Sequence, residues 1–239
     1  MASYMFGVDR IEVHNFKSKG QHNDDDWLHI TVQVAEQPPS DNHFHINNNI
    51  HAGDAFNGPW LAGPFEIGDA DRVGASFVIE NKSHTDSAKQ ESEVIQVGSV
   101  IAAGIFGVMS AEASAVQFNS ESVADAVAAG VVSAAGTIWA TLVGDSDPDC
   151  NGEVLTRGLA FDRGDLQKEG SHTIDDPERT GPSKDNCGDP PRTKVTYSVH
   201  LWTLREALRT FSFDLSHTVS VRSIQPPITN VRRFMRFGK

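Results

Sequence analysis

Two acidic turns hold the residue types best suited to ion chemistry: Asp24, Asp25 and Asp26 in one, Asp69 and Asp71 in the other. Calcium takes about six to eight oxygen ligands from carboxylates, carbonyls and water, and a sheet sandwich can bring such loops together at one end. These five are the candidate metal ligands, with Ca2+ as the candidate cofactor. The plain alternative is a set of solvated turns that keep the chain soluble. No EF-hand spacing is present. His43, His45 and His51 in HFHINNNIH place an H-x-H pair on one strand face with a third imidazole beyond it, residue types that suit zinc or copper. An exposed polar strand edge is the competing reading.

Covalent and phosphate chemistry find no motif. The sequence lacks a GxSxG elbow, a glycine-rich loop ending in GK[ST], HExxH and GxGxxG. A carboxylate pair for glycoside hydrolysis leaves no trace in chain spacing, since any of the 32 acidic residues can converge in space. No catalytic residue is therefore assigned.

The elements that would position these residues read first as strands. Leu28, Ile30, Val32 and Val34 alternate with Trp27, His29, Thr31 and Gln33, a half-buried strand over 26–34. The same period runs through 72–80 and 194–202, and more weakly through 8–16 and 153–161. Turn-forming clusters such as EQPPSDN, GDAFNGP and IGDADR lie between them. Many short strands with such turns predict an antiparallel β-sandwich. From 87 to 144 the rhythm changes. Ser87 with Gln90 fits a capping box, Val94 to Ala111 carries no charge, FNSES forms a corner, and 126–144 is again charge-free. That pattern predicts a helical hairpin. Its small residues recur four apart at Ala103, Gly107, Ala111 and Ala115, and at Gly136, Ala140 and Gly144, a stripe that lets helices approach closely.

The expected fold class is thus α+β: one β-sandwich domain over 1–224 with a Gly/Ala-rich helical hairpin inserted at about 87–144, then a basic tail at 225–239. With 239 residues, 38% hydrophobic and 22% charged, the chain is long enough for a substantial core and is not disordered throughout. A net charge of −12 argues against nucleic acid as a partner. Residues 191–239 reverse the sign, with 9 basic against 2 acidic side chains, and interleave Arg232, Arg233 and Arg236 with Phe234 and Phe237. Such a segment either docks on an acidic partner or lipid surface or folds back on its own chain. The opening MASYMFGVDRIEV has no signal-peptide pattern. Cys150 and Cys187 can bridge, which would close a loop worth roughly 4 kcal/mol and point to an extracellular setting, or can stay reduced.

Several separated motifs bear on family. The acidic cluster Asp24-Asp25-Asp26, the run Gly53-Asp54-Ala55-Phe56-Asn57-Gly58 read as GDxxNG, Asn81-Lys82-Ser83-His84 at a strand end, the Gly/Ala hairpin, Asp149-Cys150-Asn151-Gly152 and Cys187-Gly188 occur in that order. Over roughly residues 10–202 the chain resembles a family of uncharacterised bacterial and fungal proteins. It departs at Asn151, where a second acidic residue is usual, and at Lys82-Ser83, where a Ser-Gly pair is usual. The resemblance implies architecture and no activity.

The expected function is a non-enzymatic binding or assembly module whose hairpin serves self-association or a partner helix, stabilised by calcium if the acidic turns meet. The alternative is a membrane-active protein whose hairpin enters a bilayer, helped onto anionic lipid by the cationic tail.

Overall fold

The structure is a computed structural model that describes residues 2–15, 24–81, 87–112, 152–162, 166, 171–181 and 189–202. Among the described residues, nine strands form two antiparallel sheets. Sheet A runs in the order β4 (Ala55–Ile67), β1 (Ala2–Asn15), β9 (Arg192–Trp202) and β7 (Ser171–Asp175), with β8 (Arg179–Thr180) also on β9. Sheet B runs β3 (Ser40–Ile50), β2 (Asp24–Val34), β5 (Arg72–Asn81) and β6 (Gly152–Asp162). Contacts divide the chain into Met1–Trp202 and Thr203–Lys239, and the second unit, with the basic tail at 225–239, lies outside the described residues.

Alternation decides which side chains meet. From β2, Leu28, Ile30, Val32 and Val34 enter the core as predicted, facing Phe6, Val8 and Tyr197 from sheet A. Phe6 lies 5.4 Å from Phe161 and Phe77 lies 4.7 Å from Tyr197, ring centre to ring centre. In β1 the inward set is Tyr4, Phe6 and Val8, then Ile11 and Val13. The phase slips because Asp9 is an extra residue relative to β9, where Val8 and Arg10 pair with the adjacent Tyr197 and Thr196; β4 skips Gly58 and Pro59 at the same point. This bulge is why the two-residue period is faint over 8–16. β4 replaces the turn expected at GDAFNGP. Its Pro59 and Pro64 are tolerated because β4 is an edge strand, where a missing N–H costs no ladder bond.

Among the described residues there is one helix, α1 (Ser87–Glu112), so the hairpin is not supported as drawn; its second arm, 126–144, lies outside those residues. The small-residue stripe is not what seats α1. Val94, Val97, Gly98, Ile101, Ala102 and Ile105 seat α1 on the outer face of sheet B, while Gly107 of the expected stripe is exposed. Close approach uses Gly98 and Ala102 instead. A Cβ at Gly74 would collide with the Ala102 carbonyl oxygen, and a Cβ at Gly98 would press on Thr31 Oγ1. Ser76 Oγ donates to the Gly98 carbonyl at 3.0 Å, so the helix rests on a floor of small side chains.

Candidate functional site

The face of sheet B under α1 holds a buried cluster of titratable groups. His29 comes from the middle of β2, Glu80 from the end of β5 and Asp41 from the start of β3. β2 lies between its two partners, so residues 12 and 51 positions away reach one imidazole. His29 Nε2 lies 2.9 Å from Glu80 Oε1, and Nδ1 lies 3.4 Å from Asp41 Oδ2. Thr31 Oγ1 donates to Asp41 Oδ1 at 2.6 Å. Burial alone would pull the imidazole down, but hydrogen bonds and charge from Asp41 and Glu80 outweigh it and hold His29 above its ordinary 6.5. With both ring nitrogens protonated, it donates to both carboxylates. His29 and Glu80 have side chains that are 0% exposed, so substrate has no access and the cluster acts as a clasp between three strands.

A second buried clasp joins the two sheets. Arg157 on β6 and Arg179 on β8 converge on Asp176, the latter donating Nη2 to Oδ1 at 3.1 Å. Burial, followed by the charge of Asp176, raises the neighbouring Tyr197 hydroxyl, keeping it neutral.

The acidic turns do not come together. Asp26 is opposite Asn81, at the end of β5, whereas Asp69 and Asp71 precede its first residue. Ten strand residues separate the two turns, about 30 Å at 3.3 Å per residue. The expected convergence of Asp24, Asp25 and Asp26 with Asp69 and Asp71 is thereby corrected by the register of sheet B. Asp26 is buried and accepts from Asn81 Nδ2 at 3.4 Å. Asp71 closes its own turn, accepting from the Gly68 N–H at 2.6 Å. Among the described residues, no group of three or more His, Cys, Asp or Glu is placed to hold a metal ion. Cys150 and Cys187, with any bridge between them, lie outside those residues.

The histidine run divides. His43 and His45 sit exposed on β3, with ring centres 6.0 and 5.0 Å from Trp27, and His43 also stacks near His29 at 5.7 Å. His51 leaves the strand, and its backbone N–H donates to Asp54 Oδ2 at 2.7 Å.

Sheet A presents one further grouping. The bulge turns Asp9 outward, where Ser198 Oγ donates to Asp9 Oδ1 at 2.7 Å and His200 Nε2 lies 3.7 Å from the same oxygen. The serine hydroxyl points at a carboxylate and not at the imidazole, so no nucleophile and base pair is assembled. An open cleft of about 680 Å³ lies between the turns after β2 and β4 and Phe106 of α1, with Glu36, Asp71 and Arg72 on its walls.

Sequence reasoning placed His29 on a solvated face and did not join it to Glu80 or Asp41. The available signal was the outward set of β5, Gly74, Ser76 and Val78, too small and too apolar for a face left in water. Such a run marks a strand covered on both sides.

No family model and no curated protein match the chain. Among solved structures, the C2A domain of plant Extended Synaptotagmin 1 is similar at 8% identity and a TM-score of 0.29, covering 84% of this chain and 96% of that one. A likeness at that level carries no argument about ligand or activity.

Proposed function

We propose that the chain is a non-enzymatic binding and assembly module and that α1 supplies its contact surface, with a second copy of the chain as the occupant. One observation carries the reading: α1 has already used one side on sheet B, yet from Val94 to Ala111 its other side has no charge either. Val100 is 38% exposed, and a Cβ at Gly107 would meet nothing within 4 Å among the described residues. A helix that only capped the sheet would show water a charged face. An uncharged, small-residue face lets an identical helix pack closely.

Calcium is left out of this reading, because the two turns that would have shared an ion stand at opposite ends of β5. The membrane reading has less support. Among the described residues no helix is long and apolar enough to cross a membrane, and entering a bilayer would take α1 off its seat.

Light scattering over a dilution series in chelator tests the proposal. Mass should rise with concentration for the parent chain and stay monomeric for Gly107→Glu, which gains helix propensity and adds a charge to the outward face. A monomer at every concentration would overturn it. Dye release from anionic vesicles by the parent chain would favour the membrane reading.

A further inference from the structure

α1 is seated on sheet B as a layer of its own. The apolar residues it buries, Val94, Val97, Ile101 and Ile105, are no part of the cluster that joins the two sheets, to which β2 gives Leu28, Ile30 and Val32 from its other face. Under the helix the sheet offers Gly74, Thr31 and Ser76, which are small or polar and lose little by meeting water. One residue ties this seat to the His29 clasp. Thr31 Oγ1 stands where a Cβ on Gly98 of α1 would fall, and the same hydroxyl donates to Asp41 Oδ1, whose Oδ2 faces His29 Nδ1. Among the described residues, β3 adds to this layer Asp41 and His43, the latter with its ring centre 5.7 Å from that of His29. β5 adds Glu80, with Glu153 of β6 opposite it in the register. β2 itself carries Asp26, which accepts from Asn81. α1 brings no charge from Val94 to Ala111, and Glu93 stands just ahead of that run.

We propose that His29 is a proton-operated latch for α1: protonated, it keeps the helix seated on sheet B, and neutral, it lets the helix leave while the two sheets stay packed. The imidazolium donates to Glu80 and Asp41 at once. A neutral ring keeps a single N–H, so one of these carboxylates loses its bond from His29 in a place closed to water. Lifting α1 brings water to that carboxylate and leaves the core on the other face of β2 intact. The coupling runs both ways. In the seated form Asp41 and Glu80 outweigh burial and hold His29 above its ordinary 6.5, and the opened form returns it toward that value. Opening is therefore least below 6.5 and grows with pH above it, by up to about tenfold per pH unit for one proton. It uncovers the apolar side of α1 that faces the sheet, and it does not depend on the outward side.

Amide hydrogen exchange on the intact chain, dilute and corrected for the intrinsic rise of exchange with pH, tests the latch between pH 6 and pH 9. Protection of α1 amides from Val97 to Ile105 should fall by up to about tenfold per pH unit above 6.5, while amides of β1 and β9 keep theirs. Binding of a fluorescent dye for apolar surface should rise over the same range. His29→Gln should remove the pH response of α1, and His43→Gln should leave it in place. If His29→Gln loses its fold by circular dichroism, Glu80→Gln removes one of the two carboxylates and should shrink the response. Loss of protection in α1 and the sheets together, α1 protection that ignores pH, or a response that survives His29→Gln or vanishes with His43→Gln would overturn the proposal. Failure of α1 to bind a second copy would leave each of these outcomes unchanged.

Discussion

The outer faces of the two sheets are built from the same alternation and meet different fates. On sheet A, Arg10, Glu12 and His14 on β1 face Lys194 on β9 in open water, paired at 2.8 Å for Arg10 to Glu12 and 3.1 Å for Lys194 to Asp175. On sheet B the equivalent face is roofed by α1, and there His29 is held between Glu80 and Asp41. An ion pair in water gains little because solvent already stabilises each partner, whereas a buried charge that loses its partner has nothing to replace it. Charges of the same kind therefore carry unequal consequences on the two faces.

The sharpest break in that comparison is Glu80→Ala. It should destabilise by about 3 kcal/mol or more, since His29 loses its shorter bond in a site without water, and urea denaturation would measure it. A cost near that of a surface charge would show the site to be wet. Gly74→Val should come next, at about 1–3 kcal/mol, by lifting α1 from its floor; loss of helix signal before strand signal on heating would accompany it.

The pH response differs in sign from that of ordinary acidic turns. His29 has its folded-state value raised above 6.5, so its contribution is fully present below 6.5 and is lost as pH climbs through the raised value. Urea midpoints in chelator should therefore fall from pH 6 upward, and His29→Gln should flatten that slope. A slope that survives the substitution would place the titrating group elsewhere. The smallest effect is expected on sheet A, where Lys194→Ala should change stability by less than about 1 kcal/mol, with partial screening by salt.

How legible these faces were in the sequence follows from their physics. β2, β5 and β9 declared themselves through uninterrupted alternation, because each runs straight through the sandwich. β4 hid behind Pro59 and Pro64, which read as turns unless the strand is known to lie at an edge. The clasp was invisible for another reason: His29, Asp41 and Glu80 belong to three strands, and only their pairing order makes them neighbours. Alternation marks which face a residue takes, but not whether that face is later roofed. For the acidic turns the residue types were plain and the topology that parts them was not.

The bulge at Asp9 makes β1 a strand of two phases. Tyr4, Phe6 and Val8 point inward on one parity, Ile11 and Val13 on the other, and Asp9 is the residue that joins them. Deleting Asp9 would tidy the strand into a regular one, with Tyr4, Phe6, Val8, Ile11 and Val13 on a single parity and all still inward. A deletion between Tyr4 and Val8, or between Ile11 and Val13, would instead throw one stretch out of phase and turn its apolar side chains to water. Loss of one residue at this position therefore removes the bond from Ser198 and spares the core, and the same deletion in the turn at Glu36 and Gln37 would likewise leave every strand in phase. Variation in chain length among relatives of this fold should accordingly collect in its turns and at this bulge, and spare the stretches on either side of it.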